Sequence, residues 1–189
     1  MLMADLGADV IKIEVPGVGD SSRHAGEMIG ERSSFFETNN RGVRSLTLNL
    51  KSDEGREILY RLVEDADIFG QNFRPGAAEK NGFGYEDLKR INPRLVYVSV
   101  SGYGTQGPHA DLPGTDAVGQ ALSGIAEAYA GPGEAMRTGL VSVADESCAM
   151  LTFGGLLAAL YCAKTTGVGQ KVETSLVWST VRLMGWTLT

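Results

Sequence analysis

One acidic residue, Asp145, stands where a carboxylate could do covalent chemistry. It lies between a β-like run at residues 140–143 and a long apolar stretch at residues 149–163, which predicts a buried helix. Asp is a common helix N-cap, because its side chain accepts hydrogen bonds from N–H groups that the first turn leaves unpaired. The helix dipole also favours the ionised form, and an ionised carboxylate can attack an activated acyl group. The sequence leaves both roles open for Asp145, and one residue can hold both.

Residues that could bind an anionic ligand follow several predicted strands. Apolar and polar residues alternate, or β-branched residues cluster, at residues 9–15, 45–50, 66–69 and 95–100. In open α/β sheets, ligands bind beyond the carboxyl ends of the strands. The candidates at these ends, with one residue in the long loop after the first strand, are Arg23, Lys51, Asn72, Phe73, Arg74, Lys80, Gly102, Tyr103 and Gly104.

These side chains fit the parts of a nucleotide-like ligand. Basic groups could bind phosphates through charge-assisted hydrogen bonds, while Phe73 could stack on a base and Asn72 could hydrogen-bond to it. In the alternative interpretation Pro75 starts a helix, and Arg74 and Lys80 are solvated surface charges. The convergence of four strand ends favours a binding site.

A glycine pattern at residues 102–107 matches the dinucleotide fingerprint G-x-G-x-x-G and follows a strand. That motif has to open a helix, whose N-terminus then receives the pyrophosphate. Pro108 and Pro113 follow instead and break any helix there. The pattern therefore predicts a glycine turn near a site, and not nicotinamide or flavin binding.

Composition excludes several classes of partner. The 17 Lys and Arg residues against 23 Asp and Glu residues give a formal charge of −6, which argues against nucleic acid or an anionic membrane as the partner. His24 and His109 lack metal-ligand spacing, so no metal is expected. Cys148 and Cys162 would share one helix face, as buried thiols in a reducing compartment.

Neither a membrane span nor a signal sequence is predicted. The longest apolar stretch, residues 151–163, is shorter than the roughly twenty residues that a span needs, and a Gly pair interrupts it. No cationic and apolar signal opens the chain. The predicted location is cytoplasmic, or an organelle matrix whose targeting segment is absent.

The order of elements predicts an α/β fold: a Rossmann-like, largely parallel sheet with flanking helices, in one domain. Helices are predicted at residues 52–63, 84–89, 114–130 and 145–163, and a short strand at 172–176. Both ends of the chain look like segments from the middle of a longer sequence. Residues 1–6 resemble the last turns of a helix, and residues 177–188 have a helical pattern without a stop signal. We therefore expect a fold truncated at both ends, with a first strand before this chain and a further portion after it.

Six segments in order resemble the family III CoA-transferases, of the CaiB/BaiF type. This family includes formyl-CoA transferase, the carnitine CoA-transferases and 2-methylacyl-CoA racemase. The segments that carry the resemblance cover nearly the whole chain: Ala4-Asp5-Leu6-Gly7-Ala8-Asp9-Val10-Ile11-Lys12-Ile13-Glu14, Asn72-Phe73-Arg74-Pro75-Gly76, Gly82-Phe83-Gly84-Tyr85-Glu86-Asp87-Leu88, Asn92-Pro93-Arg94-Leu95, Ser101-Gly102-Tyr103-Gly104, and Thr166-Gly167-Val168-Gly169-Gln170.

The resemblance implies that Asp145 is the catalytic aspartate. By that likeness Asp145 attacks an acyl-CoA thioester, passes through anhydride and aspartyl-CoA intermediates, and transfers CoA to a carboxylic acid acceptor, with no metal or redox cofactor. The resemblance also implies a homodimer for the full-length protein. It places CoA contacts on Arg23, Leu48, Lys51, Asn72, Phe73, Arg74 and Lys80, with residues 113–116, including Thr115 and Asp116, lining the site.

Two departures from the family keep alternatives open. Racemase-like members carry His, and many transferases Tyr, where this chain has Thr115. Family members are also about twice as long, with a second, smaller domain, so residues 1–189 would be the N-terminal CoA-binding and catalytic part of the large domain. We hypothesise that this polypeptide alone is inactive or nearly so in CoA transfer. The alternatives are a 2-methylacyl-CoA racemase or epimerase, and an inactive CoA-binding fragment of a split or decayed gene.

Overall fold

The computed structural model describes residues 1–139 and 141–185 and shows a mixed α/β fold with parallel sheets and flanking helices. A 3-10 turn, Ser21–His24, lies between the first two strands. The strands are β1 (Val10–Glu14), β2 (Met28–Ile29), β3 (Arg32–Ser33), β4 (Val43–Thr47), β5 (Ile68–Gln71), β6 (Val96–Ser101) and β7 (Lys171–Ser175). The helices are α1 (Leu2–Asp5), α2 (Ser34–Asn40), α3 (Asp53–Asp65), α4 (Ala77–Lys80), α5 (Tyr85–Ile91), α6 (Asp116–Leu122), α7 (Ile125–Ala130), α8 (Val143–Thr166) and α9 (Leu176–Leu183).

Contacts divide the chain within α3 into two compact units, Met1–Leu59 and Tyr60–Thr189. The predicted α/β class with largely parallel strands is confirmed in each unit. The prediction that the whole chain is part of one larger domain stays a prediction.

The first unit is built on a parallel pair of strands, β1 and β4, in register from Val10 opposite Val43 to Glu14 opposite Thr47. The predicted strand at 45–50 ends earlier, because the side chain of Asn49 accepts the Lys51 N–H and turns the chain. The long loop predicted after the first strand contains the β2–β3 hairpin, which is antiparallel.

The second unit is built on a three-stranded parallel sheet in the order β5-β6-β7. The central strand β6 is buried over most of its length, and Tyr97 is fully buried. Helix α8 packs on β6 and β7 and runs against their direction: Thr152 lies 2.6 Å from Thr174 between hydroxyl oxygens, and Gly155, farther along α8, lies beside Val172, nearer the start of β7. The N-terminus of α8 therefore lies at the carboxyl edge of this sheet.

Several predicted element boundaries were wrong for local reasons. The helix predicted at 114–130 is two helices, α6 and α7, because Gly124 between them adopts φ +87°, a left-handed conformation that breaks the helix. The β-like run at 140–143 is not a strand, since Val143 already belongs to α8 and Val141 and Ser142 are outside any strand. Leu140 lies outside the described residues, as do residues 186–188 of the helix predicted at 177–188.

Helix α8 has 24 residues and, by length and composition alone, is long and apolar enough to cross a membrane. This corrects the expectation that every apolar stretch is too short, because Gly154 and Gly155 do not interrupt the helix. One face of α8, with Cys148 and Leu156, is buried. The prediction that no membrane is a partner stays a prediction.

Gly169 joins α8 to β7 at a point where no side chain fits. A Cβ atom there would lie 2.1 Å from the carbonyl oxygen of Leu95, which is backbone and cannot rotate away. We predict that Gly169→Ala destabilises the second unit by about 2–3 kcal/mol, measured by urea unfolding. The matched control is Gly154→Ala, where nothing lies within 4 Å and the added methyl group should raise helix stability by about 0.5–1 kcal/mol. Equal stability of the two variants would contradict the steric argument.

Candidate active site

Asp145 is the third residue of α8 and lies in its first turn. It is not the N-cap, which corrects the cap interpretation: the helix begins at Val143, and Ser142 occupies the cap position without a side-chain hydrogen bond. The Asp145 side chain reaches solvent, but neighbouring protein covers part of it. It lies at the N-terminus of α8, which is the end of that helix at the carboxyl edge of the β5-β6-β7 sheet. A nucleophilic role is compatible with this position.

The missing cap comes from another helix. One carboxylate oxygen of Asp116, at the start of α6, accepts the backbone N–H groups of Ala144, at 2.8 Å, and Asp145, at 3.1 Å. The other oxygen accepts the side-chain amide of Gln120 at 2.5 Å. Gln120 is fully buried, and its carbonyl oxygen accepts the Gly139 N–H at 2.7 Å. Sequence reasoning missed Gln120, although the Asp-x-x-x-Gln spacing puts both side chains on one helix face.

The pKa of Asp145 is raised above its ordinary value. The first cause is partial burial, because surrounding protein removes water from the carboxylate. The second is the neighbouring charge of Asp116, followed by that of Glu146 on the same helix. A carboxylate that is poorly solvated and repelled by neighbours is a better nucleophile than a hydrated one.

Two glycines close the loop that leads from β6 to Asp116. A Cβ atom on Gly102 would lie 2.6 Å from the Cα atom of Gly114, so the two backbones touch. Within the loop, the Gly104 N–H donates to the Ser101 hydroxyl, and Tyr103 packs against His109 with ring centroids 5.7 Å apart. No helix follows before Asp116, which fits the predicted glycine turn. Thr115 is exposed and makes no cap hydrogen bond.

An open cavity of about 390 Å³ lies at the carboxyl ends of β6 and β7. Aromatic and apolar groups form part of its wall, and the polar part includes hydroxyl groups, the Gln106 amide and the Glu173 carboxylate. The lining residues include Ser101, Tyr103, Leu151, Glu173, Thr174 and Trp178.

The segment after β5 presents its predicted ligand-binding groups to solvent. The Gln71 side chain donates to the Ser99 hydroxyl and accepts the Phe73 N–H, which fixes the turn. The Phe73 ring is half-exposed. Asn72, Arg74 and Lys80 are exposed, and neither Arg74 nor Lys80 forms an ion pair with any residue in 1–139 or 141–185.

In the first unit, Arg23 and Leu48 both lie beside Glu14, at the carboxyl end of β1. The Arg23 guanidinium donates two hydrogen bonds to the Glu14 carboxylate, at 2.8 and 2.7 Å, and lies 3.9 Å above the Phe36 ring. The Leu48 N–H donates to the Glu14 carbonyl oxygen. Lys51 is exposed in the turn that follows. A CoA contact from any of the three stays a prediction.

Glu14 is a residue that sequence reasoning missed. The hydrogen bonds from Arg23, with that of the Ser45 hydroxyl, lower its pKa from 4.5 to about 2. The signal in the sequence was an acid that ends a strand and is followed nine residues later by Arg.

Both cysteines are free thiols, but only Cys148 is buried. Cys162 is partly exposed, which corrects the expectation that both thiols are buried. No group of three His, Cys, Asp or Glu residues in the described ranges could hold a metal ion.

The family model for CoA-transferase family III matches residues 1–189, and the chain belongs to that family. It is 42% identical over 194 residues to acetyl-CoA:oxalate CoA-transferase of Acetobacter aceti, covering 100% of this chain and 50% of the relative. It is 36% identical over 184 residues to succinyl-CoA:glutarate CoA-transferase of Homo sapiens, covering 96% and 42%. The chain thus spans about half the length of the curated relatives it matches.

A solved structure shows the same fold. A CAIB/BAIF family protein from Brucella suis matches with a TM-score of 0.92 and 34% identity, over 98% of this chain and 50% of that one. The resemblance drawn from the six sequence segments is therefore confirmed, and so is the α/β fold that the order of elements predicted.

Proposed function

We propose that this chain carries the catalytic aspartate and part of the CoA site of an acyl-CoA:carboxylate CoA-transferase. The observation that carries the proposal is Asp145, a partly desolvated carboxylate at a helix N-terminus, at the sheet edge where α/β proteins bind ligands. The names of the relatives, acetyl-CoA:oxalate and succinyl-CoA:glutarate CoA-transferase, support this reaction and point to a dicarboxylic acid as acceptor.

The proposed reaction starts with attack of the Asp145 carboxylate on the thioester carbonyl. The C–S bond breaks, the CoA thiolate leaves, and a mixed anhydride forms. The thiolate then attacks the aspartyl carbonyl, which releases the donor acid and leaves an aspartyl-CoA thioester. An acceptor carboxylate attacks the aspartyl-CoA carbonyl, the C–S bond breaks, and the thiolate leaves again as a second anhydride forms. The thiolate then attacks the acyl carbonyl of the acceptor in that anhydride, which gives the new acyl-CoA and releases the Asp145 carboxylate. No step is an oxidation or a reduction, and the carboxylate itself is the covalent catalyst, so we propose no cofactor.

The CoA moiety is proposed to lie along the segment after β5. Arg74 and Lys80 offer cationic groups that are not committed to an ion pair in the described ranges, and CoA carries phosphates that such groups bind. The half-exposed Phe73 ring offers a stacking surface for the adenine base, and Asn72 offers an amide. We also propose that the whole protein is a homodimer and is located in the cytoplasm.

The test is to trap the covalent intermediate, because a single adduct on Asp145 can be detected even where complete CoA transfer is too slow to follow. The chain is incubated with acetyl-CoA or succinyl-CoA and analysed by intact-mass and peptide mass spectrometry. We expect CoA in thioester linkage on the peptide that contains Asp145, and its conversion to a hydroxamate by hydroxylamine.

Three other results would go against the proposal. An adduct on a different residue would move the nucleophile. Deuterium exchange at the α-carbon of a 2-methylacyl-CoA, without an adduct, would indicate a racemase. CoA binding with neither adduct nor exchange would indicate an inactive CoA-binding fragment.

A further inference from the structure

We propose that Asp116 and Gln120 act as a positioning pair: they hold the first turn of α8 so that the Asp145 carboxylate is presented in a fixed place. The capping part of this statement stands on geometry, and its catalytic part rests on the proposed function. The family resemblance implies that Asp116 is among the residues lining the CoA site. Its two carboxylate oxygens are instead already bonded to α8 and to Gln120.

Helix α8 needs an external cap. The first N–H groups of any helix lack partners within it, and the cap residue Ser142 supplies no side-chain bond. Asp116 supplies the acceptor for two of these groups, on Ala144 and on Asp145 itself. A carboxylate at this end also interacts favourably with the helix dipole. The contact is tight, since a Cβ atom on Gly119 of α6 would lie 2.7 Å from the Ala144 Cβ atom.

Gln120 fixes the orientation of Asp116. It is fully buried, so its amide has no water to exchange with, and both ends of the amide have protein partners. The NH₂ group faces Asp116, and the carbonyl oxygen faces the Gly139 N–H. Only this orientation satisfies both, because turning the amide over would set two donors face to face at Gly139. Gln120 thereby also ties the chain just before α8 to helix α6.

Exchanging the two side-chain types tests the pair. In Asp116→Asn, an amide faces the Gln120 amide, so one donor is left facing another whichever way the two turn. In Gln120→Glu, two carboxylates face each other. In the double variant Asp116→Asn/Gln120→Glu, the new amide on α6 can accept from α8 and donate to the new carboxylate one turn on, which can still accept the Gly139 N–H. Both single variants should therefore disturb the pair. The double variant should restore the bonds to α8 and to Gly139, but not the long bond of 3.5 Å from the Gln120 amide to the Val141 carbonyl oxygen.

The direct readout is amide hydrogen exchange by NMR at Ala144, Asp145 and Gly139. We expect exchange at one or more of these amides to speed up about tenfold in each single variant and to return towards the wild-type rate in the double variant. The second readout is the rate of adduct formation at Asp145, which should fall in the singles and recover in the double. Recovery of both readouts is what a positioning role requires. Glu127→Gln, which removes an exposed charge on α7, is the control and should leave both readouts unchanged.

Amide hydrogen exchange at the wild-type rate in both single variants would overturn the proposed positioning pair. So would a double variant no better than the singles. A wild-type chain that forms no adduct would overturn the proposed function, and with it the catalytic part of this proposal, while the exchange data still decide the capping part. If a single variant fails to fold, recovery of the folded state in the double variant decides the same question.

Discussion

Asp145→Asn is expected to abolish the covalent adduct and, at the same time, to make the folded second unit more stable at neutral pH. The amide is not a nucleophile, so adduct formation should fall by about 10⁴-fold or more. The stability gain follows from the raised pKa of Asp145, whose causes are partial burial, Asp116 and Glu146. A raised pKa means that the folded state binds the proton more tightly than the unfolded state. Stability is therefore lost as pH rises from the unfolded pKa through the folded one.

The measurement is urea unfolding of wild type and Asp145→Asn at pH 7 and again below the unfolded pKa of the carboxyl. We expect the variant to be more stable at pH 7, and the difference to shrink at low pH, where the wild-type carboxyl is protonated in both states. CoA binding, followed by calorimetry, should be retained, because the expected phosphate contacts lie after β5. A variant less stable than the wild type at pH 7 would show that the charge of Asp145 favours folding. That result would contradict the prediction from its partial burial and its acidic neighbours.

Local pattern was enough to predict most elements of this fold. The alternation at residues 9–15 and the β-branched run at 95–100 correspond to β1 and β6, because period-two patterns and β-branched side chains suit strands whatever lies elsewhere. The boundary errors came from single residues. Asn49 turns the chain after β4, and Gly124 separates two helices that share an apolar pattern.

The candidate site was harder to predict, because its contacts join distant parts of the chain. Asp145 could be singled out as an acid before an apolar helix, yet Asp116 caps that helix from 28 and 29 residues away. No local pattern shows that Ser142 lacks a cap bond, or that Gly102 and Gly114 touch. The general rule for α/β sheets identified the residues that follow strands. It could not identify the groups to which those residues are already bonded, such as the Glu14 carboxylate that accepts hydrogen bonds from Arg23.

Glu14→Gln should have the largest effect on the first unit. The Glu14 carboxylate is buried and accepts hydrogen bonds from the Arg23 guanidinium, the Ser45 hydroxyl and the Asp20 N–H. A neutral amide turns one acceptor into a donor and leaves Arg23 without its counter-charge. We expect a loss of about 2–3 kcal/mol at pH 7, measured by hydrogen exchange of the β1 and β4 amides. The control is Asp9→Asn, whose exposed pair with Arg44 should be worth about 0–1 kcal/mol.

The pH dependence separates the charge of Glu14 from its shape. Its pKa is lowered from 4.5 to about 2, first by the hydrogen bond from Arg23, so the folded state holds the proton less tightly than the unfolded state. The stabilisation is therefore present above pH 4.5 and is lost as pH falls towards about 2. Wild type and Glu14→Gln should converge over that window, whereas wild type and Asp9→Asn should stay close throughout. A constant gap down to about pH 2 would mean that packing, and not the ion pair with Arg23, accounts for the loss.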